Sequence, residues 1–366
     1  MSLPPGARIG ILGGGQLGRM SAMAAARLGY RPHVFAPEAD GPGMQVAADR
    51  TVAAYTDAEA LARFAAAVDV VTFEFENVPA ETLSVLAPLV PCRPGAGVLA
   101  TCQDRLAEKA FLRRAGVPVA PFAAVTQEAE LPAALAVTGL PAVLKTTRLG
   151  YDGRGQAVVR SEAEARAALA RLAPAPFILE SFVAFAAEVS ALVARGEDGA
   201  MVIYDVAQNR HARHILDESV APAPIPPATA EAARAHARAV AEGLGLVGVA
   251  AIEFFLLPEG ALVGNEIAPR PHNSFHWTIE ACRISQFEAH IRAVAGLPLP
   301  DPGRHHAAVM KNLIGPEGMA LLPGLLADPA WTVHLYGKAE ARPGRKMGHA
   351  TRLLPEAPAA GSICAG

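Results

Sequence analysis

The sequence predicts an α/β protein of two or three domains, and three observations carry that. The chain has 366 residues, more than one hydrophobic core usually serves. Its first stretch, about 95 residues long, alternates apolar strands with helically spaced apolar residues, the signature of βαβ units on a parallel sheet. Further on, the pairs Ala187–Gly196 with Gly199–Gln208 read as neighbouring antiparallel strands, so the fold is α+β taken as a whole.

The elements follow in order. Strands are expected at Arg8–Leu12, Arg31–Ala36, Thr51–Tyr55 and Val68–Phe75, with helices over Gln16–Leu28 and Asp57–Ala66. Thr56 and Asp57 supply capping oxygens for the second helix. Pro and Gly in Pro88–Ala100 break the rhythm and mark a boundary near residue 98. One helix then runs through Cys102–Ala115 to a stop at Gly116 and Pro118. Strands at Ala142–Thr146, Ala157–Val159 and Phe177–Glu180 surround an alanine-rich helix at Ser161–Leu172. The Pro-rich Ser219–Ala230 is a loop before a helix over Ala230–Leu244, and the chain beyond residue 300 closes in a small loop-rich module.

Composition removes several function classes. Hydrophobic residues make up 52% and charged ones 18%, which suits a globular protein with ample surface to bury. The net charge of −3 gives no footprint for nucleic acid or an anionic membrane. Cys92, Cys102, Cys282 and Cys364 form no C-x-x-C pair, so neither a zinc site nor a disulfide framework is expected. There is no leader-like start and no apolar run approaching ~18 residues. A cytoplasmic protein with small-molecule partners is the expectation.

Three stretches carry chemistry. Gly13, Gly15 and Gly18 form a G-x-G-x-x-G turn between a strand and a helix, where free N–H groups bind anions. In a dehydrogenase, Glu38 or Asp40 would meet the NAD ribose. The amides of Gln16 and Leu17 suit a single phosphate monoester equally well, and a turn that binds nothing needs the same glycines.

Lys145 ends an apolar strand and precedes a turn built on Gly150, Gly153 and Gly155, with Tyr151, Asp152, Arg154 and Gln156 among them. Lying between two strands, it has no helix N-terminus to offer, so it reads as a flap over phosphates with Lys145 as the charge clamp. A plain glycine hairpin is the alternative.

Glu253 and Glu266 sit in two strands joined by a Pro-Glu-Gly turn. A two-residue loop sets them opposite each other; a three-residue loop sets Asn265 there instead. Like charges on neighbouring strands repel, and a hard cation such as Mg²⁺ relieves them while keeping positions for substrate phosphates. The alternative is a separate Arg or Lys partner for each. Donors crowd just downstream at Arg270, His272, Asn273 and Ser274, and Arg342, Arg345, Lys346 and Arg352 read as one basic loop.

Taken together, "GGGQLGRM", "FEFENV", "KTTRLGYDGRGQ", "NEIAPRPHNSFHWTIEA" and "RPGRKMGH" resemble the 5-(carboxyamino)imidazole ribonucleotide synthase family of the ATP-grasp superfamily, in family order along nearly the whole chain. The resemblance implies a Rossmann-like domain over 1–98, an ATP-grasp domain over 99–300 with a lid near 118–182, and a small C-terminal domain over 301–366. It implies a homodimeric ligase of purine synthesis that uses MgATP and bicarbonate to carboxylate aminoimidazole ribonucleotide, without NAD or biotin. By similarity, Arg105, Lys145, the loop Gly150–Gln156, Glu180, Ser181, Phe182, Val183, Glu188 and His211 contact ATP. Glu253 and Glu266 hold Mg²⁺ with Asn265 beside them. The ribonucleotide phosphate meets Gly15, Gln16 and Leu17. Around the rest of it lie Tyr151, Arg154, Arg270, His272, Asn273, Ser274, Arg345, Lys346 and Arg352, with either Glu74 or Glu76 at the ring or ribose. His272 is the candidate base, with Lys145 and Arg270 completing the catalytic set. Two departures stand out: the adenine segment "ESFVAFAAEVS" lacks a small polar or glycine residue before Glu188, and Leu149 stands where glycine is common.

Overall fold

Apolar strands sandwiched between helices build the N-terminal module. In the computed structural model, which describes residues 2–149, 155–173 and 176–355, β1 (Arg8–Leu12), β2 (Arg31–Ala36), β3 (Asp49–Val52) and β4 (Val70–Phe73) form a parallel sheet in the order β3-β2-β1-β4. The first, second and fourth of these are buried almost throughout, as parallel strands covered on both faces must be. Helices α1 (Gln16–Arg27), α2 (Ala58–Ala66), α3 (Ala80–Leu86) and α4 (Ala96–Gln103) complete the module. Asp57 caps α2 by accepting from Ala60 N at 2.9 Å.

The helix expected through Cys102–Ala115 divides at Asp104. That residue is extended, and its carboxylate accepts from Leu106 N and Ala107 N to start α5 (Arg105–Arg114). A side-chain acceptor that satisfies first-turn N–H groups restarts a helix at little cost, a device that apolar spacing does not register. Helix α3, short and set between loops, also escaped that spacing.

Next comes a lid. Strands β5 (Phe122–Val125), β6 (Ala142–Thr146), β7 (Gln156–Val159) and β8 (Phe177–Ser181) pair antiparallel in the order β5-β8-β6-β7, backed by α6 (Leu131–Thr138) and α7 (Glu162–Leu172). The main sheet follows, from β9 (Ala187–Arg195), β10 (Met201–Ile203), β11 (Ala207–Ala212), β12 (Ile215–Ala221), β13 (Gly248–Leu256) and β14 (Leu262–Ala268), with α8 (Pro227–Gly243) on one face. β9 pairs with both β10 and β11, as the expected antiparallel pair requires. Short α9 (Thr278–Ala281) and α10 (Gln286–Ala295) lead to β15 (Ala307–Ile314), α11 (Gly315–Ala320), α12 (Leu322–Ala327), β16 (Trp331–Leu335) and β17 (Lys346–Leu354). These last strands do not form a sheet of their own. β15 pairs with β12, so one sheet runs β14-β13-β9-β11-β12-β15-β17-β16. Among the described residues no helix is long and apolar enough to cross a membrane.

Helix α10 is the wedge between modules. Its Ile291 and Val294 enter the same buried cluster as Ile9, Ile11 and Val34 of the parallel sheet. His290 on this helix is 1% exposed, and its Nε2 lies 2.9 Å from Thr72 Oγ1 of β4. Burial pushes the imidazole down to about 4. The folded protein therefore holds it neutral while the unfolded chain protonates it near pH 6.5, so its contribution is full at neutral pH and fades as pH falls from about 6.5 toward 4. At pH 5 the loss from this group alone is about 2 kcal/mol. Urea melts between pH 7.5 and 5 should show that loss, and His290→Gln, which keeps a partner for Thr72 and does not titrate, should flatten it. A slope unchanged in the variant contradicts the assignment.

Candidate active site

The N-terminal module, the main sheet and the lid enclose a cavity of about 970 Å³. Its floor is the β13–β14 hairpin. Leu257 and Ala261 close a three-residue loop over 258–260, which by simple counting sets Asn265 opposite Glu253. A bulge at Glu253/Phe254 absorbs one residue, so Glu253 faces Glu266 after all and Asn265 is the extra residue. Such a bulge re-aims side chains at a site. Glu266 is exposed toward the cavity. Glu253 is enclosed; burial, and then the Glu266 charge, push its carboxyl well above the ordinary range. Two carboxylates and an amide oxygen, open to space for phosphates, are a donor set that fits Mg²⁺.

One wall carries positive charge. Arg105, at the start of α5, takes up Thr146 O from Nη1 at 2.8 Å and lines the cavity, as does Lys145 on β6. Lys145 Nζ lies 3.1 Å from Glu180 Oε1. Glu180 is 3% exposed and also binds Lys109, so its side chain serves these lysines and does not line the cavity. Ser181 Oγ donates to Thr138 O inside the lid, and Phe182 and Val183 likewise do not line the cavity. Glu188 and His211 do; His211 Nδ1 meets the Glu188 carboxylate. Beside them Phe185 and Phe255 stack at 4.7 Å between ring centroids, an aromatic slab that no motif announced. Gly155 and Gln156 are described, and Gln156 lines the cavity; Gly150, Tyr151, Asp152, Gly153 and Arg154 lie outside the described residues. Leu149 holds φ +63°, a left-handed conformation that glycine adopts more readily.

The glycine turn already has an anion. Glu74, 8% exposed, accepts from Gly15 N at 2.7 Å and from Gly18 N at 2.9 Å. A Cβ on Gly13 or Gly15 would overlap this side chain. The glycines thus make room for the protein's own carboxylate at the start of α1, not for a pyrophosphate. That leaves no open pyrophosphate cradle for the dehydrogenase reading and engages Gly15 N, while Gly15 and Glu74 themselves still line the cavity. Gln16 and Leu17 remain on the cavity wall. Glu76 faces the cavity and pairs with Arg270; burial alone would raise its carboxyl, but Arg270 holds it below the ordinary value. Both expected alternatives, Glu74 and Glu76, line the cavity, the first bound to the glycine turn and the second to Arg270.

His272 lies between two partners. Its Nδ1 accepts from Ser274 N at 3.4 Å and lies 2.5 Å from Ser274 Oγ, so the ring proton sits on Nε2, 3.3 Å from Glu253 Oε1. Burial, then Arg270 and Lys346, hold the imidazole well below its usual pKa. Ser274 is fully buried and orients His272 without facing the cavity. Asn273 reaches the cavity edge, but its amide pairs reciprocally with Asn312 at 2.9 and 2.8 Å.

The expected basic loop comes apart. Lys346 lines the cavity, whereas Arg352 is exposed six positions further along β17, some 20 Å away at ~3.3 Å per residue. Arg342 pairs with Glu340, and Arg345 Nη1 donates to Glu340 O. Lys338 is the cation that sequence reading missed. Its Nζ donates to Lys346 O at 2.7 Å, and burial, then Arg345, push its ammonium down to about 8. Gln45 Nε2 binds Gly337 O at 2.8 Å and so holds this segment against the N-terminal module. The "YGK" run carried the signal, but a lone lysine after a tight turn has no spacing to make it stand out.

A cavity roofed by an antiparallel lid, floored by paired carboxylates and walled by Arg105 and Lys145 defines an ATP-grasp ligase. Comparison with known proteins agrees. An ATP-grasp domain model matches residues 110–287, a ribonucleotide synthetase preATP-grasp domain residues 7–103, and a phosphoribosylaminoimidazole carboxylase C-terminal domain residues 308–361. The N5-carboxyaminoimidazole ribonucleotide synthase of Brucella melitensis is 51% identical over 97% of this chain and 98% of its own. The Staphylococcus aureus N5-carboxyaminoimidazole synthetase, solved with ADP, superposes with a TM-score of 0.92 at 37% identity, over 97% of this chain and 95% of that one. The Aspergillus clavatus enzyme, solved with ADP and 5-aminoimidazole ribonucleotide, gives 0.90 at 32% identity over 96% and 95%. The chain belongs to the N5-carboxyaminoimidazole ribonucleotide synthase family.

Glu74→Ala leaves the buried Gly18 N–H and the half-buried Gly15 N–H without an acceptor, and should lower the unfolding free energy in urea by about 1 to 3 kcal/mol. An unchanged melt contradicts the capping role.

Proposed function

We propose that the protein carboxylates the exocyclic amine of 5-aminoimidazole ribonucleotide with ATP and bicarbonate, releasing ADP and phosphate, in purine synthesis. The observation that carries this reading is that one cavity joins a lysine–arginine wall, a carboxylate pair and the edge of a glycine turn with Lys346 on the same wall and Lys338 behind it. ATP phosphates suit the wall formed by Arg105 and Lys145. A ribonucleotide phosphate suits the open amides of Gln16 and Leu17 with the lysines of the C-terminal segment.

Bicarbonate oxygen attacks the γ-phosphorus, the bond to the β-phosphate oxygen breaks, and carboxyphosphate results. Lys145 and Arg105 offset charge that builds on the transferring group. Glu253 and Glu266, with Asn265, would hold Mg²⁺, which supplies further charge neutralisation at the phosphates. Arg270, locked by Glu76, presents fixed positive charge for a small anion. The exocyclic nitrogen then attacks the carboxyl carbon, phosphate leaves, and the amine gives up a proton. His272 is assigned as the base; it accepts at Nε2 in its other tautomer, with the ring proton on Nδ1 donated to Ser274 Oγ, which leaves Glu253 ionised for the metal. Enclosure by the lid keeps water from the mixed anhydride. A cytoplasmic homodimer is part of the proposal and rests on the family resemblance.

Phosphate release with MgATP and bicarbonate should rise strongly when the ribonucleotide is added, and Glu266→Gln should abolish it. No stimulation, with ATP still bound, points to another amine acceptor. His272→Asn keeps a donor but no base and should cost about 100-fold or more in turnover; intact turnover removes the base role. Lys338 carries charge below about pH 8, so the KM for the ribonucleotide should climb as pH rises through 8. Lys338→Met should weaken binding and erase that dependence.

A further inference from the structure

Two consecutive side chains of α5 reach past the helix to the outer edge of β14. This strand ends the main sheet, and among the described residues its outer edge meets only a single bridge to Val119, where Gly264 N donates to Pro118 O at 2.7 Å. Glu108 Oε1 accepts from Ile267 N at 2.6 Å, and Lys109 Nζ donates to Gly264 O at 3.1 Å. The two bonds bracket Asn265 and Glu266, the residues that the bulge aims into the cavity. Lys109 also lies 3.1 Å from Glu180 Oε2, and the other oxygen of Glu180 holds Lys145 at the same distance. Lys109 and Glu180 side chains are 2% and 4% exposed. Burial lowers the Lys109 ammonium, and Glu180 opposes that shift.

Glu180 is thus one carboxylate shared by two lysines, one sealed in and one at the cavity. We propose that Lys109 is a positioning residue for the nucleotide phosphates. It satisfies Glu180, so that Lys145 can leave that carboxylate for a phosphate, and it fixes the Gly264 carbonyl beside the paired carboxylates. This rests on the reading of Lys145 as a phosphate-binding lysine. Without Lys109, Glu180 is a buried anion with Lys145 as its remaining cation, and it withholds Lys145 from the ligand.

The test is ADP binding by calorimetry in the presence of Mg²⁺, with steady-state kinetics beside it. Lys109→Met should weaken ADP by on the order of tenfold. Adding Glu180→Gln removes the competing anion, and the double variant should bind ADP within about threefold of the unmodified protein. Its kcat should stay low, because the Gly264 carbonyl still lacks its donor. A purely structural lysine predicts the reverse order, with the double variant no tighter than the single. Lys109→Gln, a shorter neutral donor, replaces Lys109→Met if the latter does not fold, with the same expectation. ADP affinity unchanged in the single variant, or not recovered in the double, overturns the proposal. Failure of the unmodified protein to bind ADP overturns the nucleotide reading itself, so the two failures are distinct.

Discussion

Two carboxylates face each other across one hairpin, and the rest of the site depends on holding them there. Cross-strand neighbours lie about 5 Å apart, where two like charges repel by roughly 3 kcal/mol at an effective dielectric of 20. Nothing in an isolated hairpin would keep Glu253 against Glu266. The bulge puts them in register, and α5 grips the strand on either side of Asn265 and Glu266. His272 closes over Glu253. The cavity around them sets Arg105, Lys145, Arg270 and Lys346 on its walls.

The same logic governs the glycine turn. A helix start attracts an anion, and here the protein supplies one. Glu74 comes from the end of the neighbouring parallel strand and fills the space where Gly13 and Gly15 lack side chains. Burial raises its carboxyl while the Gly18 and Gly15 amides pull the other way. The turn is therefore rigid before any ligand arrives, and the adjoining amides of Gln16 and Leu17 point the remaining donor capacity at the cavity. A loop that looks like a dinucleotide motif is here filled by the protein's own carboxylate.

Much of this was legible in the sequence because it lies in local patterns. The strands of the N-terminal module end within a few residues of where apolar runs end, and Asp57 and Ser161 mark helix starts with their side chains. What escaped were features set by distant partners. The buried face of α5 carries Glu108 and Lys109 beside Phe111 and Leu112, so apolar spacing could not find it. The bonds of Glu74 reach residues 56 and 59 positions away in the glycine turn. Arg352 and Lys346 seemed neighbours in a loop until β17 stretched them apart. The pairing of Asn273 with Asn312 joins segments 39 residues apart, which no local pattern reports.

The modules also explain why the reaction needs all of the chain. The main sheet bears the carboxylates, the lid bears Lys145, the parallel module bears the glycine turn, and β17 of the same continuous sheet bears Lys346, with Lys338 in the loop before it. The central claim is that bicarbonate itself attacks ATP in this cavity. Turnover with ¹⁸O-labelled bicarbonate, followed by mass spectrometry of the released phosphate, tests it most directly. Passage through carboxyphosphate leaves one bicarbonate oxygen on each phosphate, and that transfer, dependent on the ribonucleotide, is the predicted result. Phosphate free of the label, with carboxylated product still formed, would contradict the account.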